Sequence, residues 1–264
     1  MGRLAAACCL VSLVAASAGA ADDPLARARI LYNQRQFEAA VIAADQARLT
    51  PARADSGDLV AARSFLERYR ENAAAGDLVH ARERLRRLDP QKLPPRERVE
   101  YIVGLGETLF FDGAFGAAAQ VFESILIPPP QGVLEQSARE RVLDWWATAL
   151  DREAKPRPEL ERQTTYQRVR ARMDEELAAR PSSTAAAYWL AAAAQAQGDL
   201  QSAWSAAQAG WVRAPLTADR GAALRADLDR LVLRAIVPDR ARVLGQPADA
   251  LRLQWEQFKE RWTR

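Results

Sequence analysis

Apolar residues recur at intervals of three and four along almost the whole chain, and no segment alternates apolar and polar positions as a half-buried strand does. That pattern predicts an all-α protein. Four stretches repeat one quartet, spaced i, i+3, i+7, i+10, which follows a single stripe of a helix. They are Phe37-Ala40-Ala44-Ala47, Leu78-Ala81-Leu85-Leu88, Phe115-Ala118-Phe122-Ile125 and Leu200-Ala203-Ala207-Gly210. Tyr166, Val169, Met173 and Glu176 make a fifth copy. Turns are expected just ahead of three of them, at Gly-Asp-Leu 76–78, Gly-Ala-Phe 113–115 and Gly-Asp-Leu 198–200.

The stretch FFDGAFGAAAQVFESIL, residues 110–126, shows what the pattern is for. Two antiparallel helices joined by a short turn touch along their length, so one seam must be small. Ala118 is expected to face Gly106, with Phe115 and Phe122 filling the flanks. A leucine is expected to be tolerated better at Ala119 than at Ala118. Gly113 supplies the backbone freedom the turn needs, and Pro130 stops the second helix. A phosphate-binding glycine loop would need a strand ahead of it, and none is readable.

The spacing then sets the architecture. Tyr166 and Leu200 stand 34 residues apart, as do Pro181 and Pro215, and a helix–turn–helix period of 34 marks one class of solenoid repeat. The chain resembles the tetratricopeptide repeat family. Residues 101–130 carry the family's Leu105-Gly106 pair, turn glycine Gly113, Phe115, Ala118, Phe122 and closing Pro130. Residues 186–215 carry Leu190, Ala191, Gly198, Leu200, Ala203 and Pro215 in the same order. The resemblance covers residues 22–215 and implies about five antiparallel helix pairs, within a 21–215 array, wound into a right-handed superhelix. The 134–181 copy departs from the pattern by an insertion, DREAKPRPELERQ, at 151–163 between its helices.

Residues 216–264 are expected to cap this solenoid. One helix places Leu224, Leu228, Leu231 and Ala235 on a face and stops at Pro238. A last helix, opened by Pro247, carries Leu251, Trp255, Phe258 and Trp262 on one stripe with charges opposite. An array needs such an end, apolar inside and polar outside.

The first 20 residues read as a signal peptide: one basic residue, Arg3, an apolar run from Leu4 to Ala16, and Ala18-Gly19-Ala20 as the cleavage signal. Cleavage is expected after Ala20, with Ala18 as the second site. Cys8 and Cys9 both lie inside this run, so lipidation there is the lesser alternative. The product is then an exported protein, periplasmic or secreted, without cysteine and without a stable membrane-inserted segment. Loss of Arg3 takes the net charge from +3 to +2, which gives no reason to expect nucleic acid as a partner.

Catalytic chemistry finds few candidates. His80 is the one histidine, and it sits beside helical core positions without a visible nucleophile or orienting acid. Asp174, Glu175 and Glu176 are consecutive and splay round a helix, so a solvated face is expected, and Asp227 and Asp229 diverge for the same reason. Arg82, Arg84, Arg86 and Arg87 are interrupted by Glu83 and read as a solvated face too. Of the adjacent Trp145 and Trp146, at most one is expected in the core. No metal site or cofactor is expected.

What the resemblance implies for function is a non-enzymatic scaffold, with a concave surface lined by the first helix of each pair and filled by a peptide or protein partner. Its candidate partner-binding residues are Arg29, Tyr32, Asn33, Arg63, Arg70, Glu107, Phe110, Phe111, Tyr188 and Gln195. The lysine and asparagine pattern with which family members clamp a C-terminal carboxylate is absent. The rival class is a cell-envelope hydrolase on an α-helical scaffold, for which the repeats and cap leave no separate catalytic domain. Mass spectrometry of the native protein is expected to find its N-terminus at Ala21, or at Gly19 if the second site is used. An intact Met1, or a lipid on Cys8 or Cys9, would contradict the export reading.

Overall fold

The computed structural model describes residues 23–126, 134–217 and 219–263. Among these residues there is no strand. The helices are α1 (Pro24–Asn33), α2 (Phe37–Arg48), α3 (Ala54–Asn72), α4 (Ala75–Arg87), α5 (Pro95–Phe111), α6 (Phe115–Leu126), α7 (Gln136–Ala154), α8 (Glu159–Ala179), α9 (Thr184–Ala196), α10 (Leu200–Arg213), α11 (Ala222–Leu231), α12 (Val237–Leu244) and α13 (Ala248–Trp262). They pack in consecutive pairs, as a helical solenoid does. Among the described residues, no helix is long and apolar enough to cross a membrane. The chain divides into two compact units at Asp112 and Gly113, inside the third expected repeat. The signal peptide and Pro130 lie outside the described residues.

Turn chemistry explains the hairpins. A residue with positive φ sits in six of the inter-helix turns among the described residues: Arg35 at 60°, Ala73 at 56°, Gly113 and Gly198 at 77°, Arg220 and Gly221 at 56° and 84°, and Gly245 at 62°. That left-handed step reverses the chain, and glycine takes it without a Cβ penalty. In the second pair the expected turn glycine does not take part. Gly76 lies inside the first turn of α4, and Ala73 makes the left-handed step three residues earlier. Side-chain caps start several helices: Asp23 accepts from Leu25 N at 3.0 Å, Ser183 from Ala186 N and Asp199 from Ser202 N at 3.1 Å.

In unit 1 the core is an alanine seam. Ala40, Ala44 and Ala47 of α2 and Ala61 and Ala62 of α3 are all at most 1 % exposed. Side chains this small let the backbones close up, and at Gly57 they nearly touch. A Cβ there would sit 2.9 Å from the carbonyl oxygen of Ala44. Charges cross-link the same layer: Asp58, almost fully buried, accepts from Arg84 Nη1 at 2.9 Å and ion-pairs with Arg48 at 2.9 Å, which joins α2, α3 and α4.

Unit 2 is heavier in its core, with Phe122, Trp146 and Trp255 almost fully buried. Ala118 and Ala119 are both buried. The expected tolerance at Ala119 is therefore not what the packing gives, and Ala117, which is exposed, is the position that faces away. Trp146 is the core member of its pair, and Trp145 is partly buried and stacks on Phe122 at 6.1 Å. The insertion at 151–163 is also not a loop. Only residues 155–158 separate α7 from α8, and the added residues lengthen those helices to 19 and 21 residues.

Pro238 does not end its helix either. Residues Val232–Ile236 form a π turn that runs straight into α12, with Val237 N donating to Val232 O. A proline lacks the N–H of an α-helical bond and clashes with the carbonyl four residues back, and the wider turn absorbs both. The extra residue also rotates the buried face, so Val232 and Ile236 fill the core and Ala235 lies only partly buried. The C-terminal helix α13 seats Trp255 against Trp204 and Trp211 of α10, at 5.7 and 5.5 Å, with its Nε1 donating to Asp229 at 2.8 Å. Trp262 is half exposed and not part of the core stripe.

Glu176 overturns the expectation of a solvated acidic trio. Its carboxylate is 2 % exposed and takes a two-pronged pair from Arg139 of α7, at 2.9 and 2.7 Å, and a third bond from Arg180 at 3.0 Å. Burial pushes this carboxyl up, but the Arg139 guanidinium, with Arg180 and Arg172 beyond it, outweighs burial and holds it below its ordinary 4.5. A depressed folded-state value means stability that is present above the unfolded value and lost as pH falls through the folded one. All seven tryptophans lie in unit 2, so their fluorescence reports its unfolding. Urea unfolding is expected to weaken on going from pH 7 to below about 4. Glu176→Gln should cost about 3 kcal/mol at pH 7, since it leaves Arg139 buried without its charge partner, and should flatten that pH dependence. An unchanged pH slope in the variant would contradict the assignment.

Candidate functional site

The first helices of unit 1 share a face. Tyr32 of α1 donates to Glu67 of α3 at 3.4 Å, and Arg35 reaches Glu71 at 2.7 Å. Arg63 of α3 pairs with Glu100 of α5 at 2.5 Å. These partners stand 35, 36 and 37 residues apart, close to one repeat, so the bonds run between equivalent places of successive pairs. Arg29 of α1 goes further. It pairs with Glu97 of α5, which also accepts from Ser56 of α3 at 2.5 Å. Side chains of α1 and α5 thus meet across α3.

Arg63 is the centre of the face. Its guanidinium lies 4.4 Å over the ring of Tyr32 and also faces Glu107. Burial would lower its pKa, but the Tyr32 hydroxyl, Glu100 and Glu107 together raise it above its ordinary value, so it is a fixed cation. Arg70 pairs with Glu67 at 3.0 Å. Arg29, Arg63 and Arg70 therefore stand against Glu67, Glu97, Glu100 and Glu107, a nearly balanced face.

The structure separates the two expected aromatic anchors. Phe111 packs against the core cluster of α1–α4 and meets Tyr69 edge-on at 4.9 Å. Phe110 is partly exposed and touches Phe111 edge-on at 5.9 Å. Asn33, at the end of α1, is exposed. Eight of the ten candidate residues thus belong to unit 1, where most are held by neighbours on the same face. Glu67, Glu97 and Glu100, which hold them, were not singled out from the sequence. Their signal was the repeat spacing itself.

Tyr188 and Gln195 belong to unit 2, on α9. Gln195 donates to Asp239 at 2.8 Å. Tyr188 is partly buried and meets Trp189 edge-on at 5.5 Å. Burial, with Asp227, Asp144 and Asp151 around it, pushes its hydroxyl above the ordinary value, so it stays a neutral donor at physiological pH.

The other polar residues singled out from the sequence do not converge. His80 is exposed, 5.1 Å from the Phe65 ring. Arg84 ion-pairs with Asp45 at 2.7 Å as well as with Asp58, and Arg82 pairs with Asp112; only Arg86 and Arg87 are exposed members of that run. Among the described residues, no three His, Asp or Glu side chains are grouped so as to hold a metal ion. Comparison with known families, with curated proteins and with solved structures finds no match to this chain.

Proposed function

We propose that this chain is an exported, non-enzymatic scaffold of the tetratricopeptide type, which holds a peptide or protein segment on the inner face of α1, α3 and α5. The observation that carries the reading is the meeting of Arg29 and Glu97 across α3, which turns three first helices toward one side. A right-handed superhelix capped by α13 is part of the same proposal, and Tyr188 and Gln195 give unit 2 an equivalent face. The balanced charge of the unit 1 face suits a polypeptide with apolar and mixed-charge residues better than a polyanion.

A photo-crosslinking side chain at Asn33 is expected to trap a partner in the cell-envelope fraction, and the same group at Gln46, exposed on α2, is not. Phe110→Ala should then weaken affinity for that partner by about 2 kcal/mol or more, as loss of an aromatic anchor does, with its thermal midpoint unchanged. Phe111→Ala should lower stability instead, because its ring packs on the core. Wild-type affinity in both variants would contradict the proposed face.

A further inference from the structure

A second surface lies in unit 2, away from the face that Tyr188 occupies on α9. Helices α8, α9 and α10 leave an open groove of about 530 Å³. Its floor is Leu177, Leu190 and Ala194, and its α10 wall is Ser205, Ala206 and Ala209. From Ser202 to Arg213 the wall runs about 17 Å, three turns of helix. Elsewhere in the chain a seam of this composition is filled by a helix, as Ala40, Ala44 and Ala47 of α2 are buried in the seam against α3. Here the small side chains face an empty slot.

Charge gives the slot a direction. Short turns make α8 and α10 run the same way, and Arg170 of α8 fixes their register by bonding Asp199 at 3.0 Å, at the start of α10. Arg170 is thereby committed. Asp174, one turn along α8, and Arg213, at the far end of α10, line the groove and are exposed. Neither has a pairing partner among the described residues. In that register they lie about 15 Å apart along the groove, the rise of ten helical residues.

The geometry points to a docking slot for one amphipathic helix of a partner protein, with small and apolar residues against the floor and a basic and an acidic residue eleven positions apart, the nearest spacing that returns to one helix face, set opposite Asp174 and Arg213. Helix and wall would then repeat the close packing already present between α8, α9 and α10, and the two charges would fix its position along the groove. This slot does not depend on the inner face of α1, α3 and α5.

The probe is a stapled, fluorescein-labelled helical peptide of about 14 residues, ~21 Å long, with Lys and Glu eleven positions apart on an Ala/Leu face. Anisotropy at low salt is expected to show saturable binding to the full chain. Arg213→Glu should weaken it roughly 10-fold or more, since it sets like charges together, and Ala206→Trp, which fills the groove, should abolish it. A second peptide with Lys at both positions should bind Arg213→Glu more tightly than it binds the wild type. Circular dichroism checks that both variants stay folded, which their exposed or partly exposed positions lead one to expect. No saturable binding by the wild type, equal affinity in Arg213→Glu, or no gain with the double-Lys peptide would each overturn the slot. So would a self-association of the wild type that Ala206→Trp abolishes, because the occupant would then be a second copy.

Discussion

Close backbone approach between consecutive helices is the constraint on which the rest of this structure depends. The joining turns are too short for helices to stand apart, so residues along each seam must be small. Burying an alanine removes little surface from water, and each seam gains chiefly through many dispersion contacts at short range. Large side chains fill the rest of the core: Phe37 and Phe65 in unit 1, Phe122, Trp146 and Trp255 in unit 2. The same closeness brings charged side chains on neighbouring helices into reach of one another, and the buried pairs follow from it.

Those pairs set register where an alanine seam does not. A stripe of near-identical small residues can slide by a turn at little cost, whereas Asp58 between Arg48 and Arg84, or Glu176 within the fork of Arg139, fits one alignment only. A slip would strand a charge in a dry interior at a cost of several kcal/mol. On the face shared by α1, α3 and α5 the pairs are more exposed: Arg29 and Arg63 are held by carboxylates of α5, and Arg70 by Glu67 of its own helix. On the proposed reading such a face is ordered before a partner arrives, which lowers the entropy lost on binding.

The helical quartets were legible in the sequence because an apolar stripe depends only on local spacing. Phe37, Ala40, Ala44 and Ala47 lie buried as their pattern requires, and Tyr166, Val169, Met173 and Glu176 do as well. What was not legible depends on partners far along the chain. Glu176 reads as one of three solvated acids until Arg139, 37 residues earlier, is placed beside it. Pro238 reads as a stop because a π turn has no apolar signature of its own. In the candidate site, the position of Tyr32, Arg63 and Phe110 on first helices could be read from the repeat, but the carboxylates that hold them could not, since surface and inner-face glutamates look alike in one dimension.

The seam is tested most directly at two helical glycines with opposite surroundings. Replacing glycine by alanine inside a helix ordinarily stabilises by up to about 1 kcal/mol. Gly76 in α4 has open space around it, whereas a Cβ at Gly57 in α3 would press on the Ala44 carbonyl of α2, a backbone atom that cannot swing aside. In urea unfolding followed by far-ultraviolet circular dichroism, Gly76→Ala should be neutral to stabilising, and Gly57→Ala should lose about 1–3 kcal/mol, the range for overpacking. A stabilising Gly57→Ala would show that α2 and α3 do not approach closely, and would contradict the account.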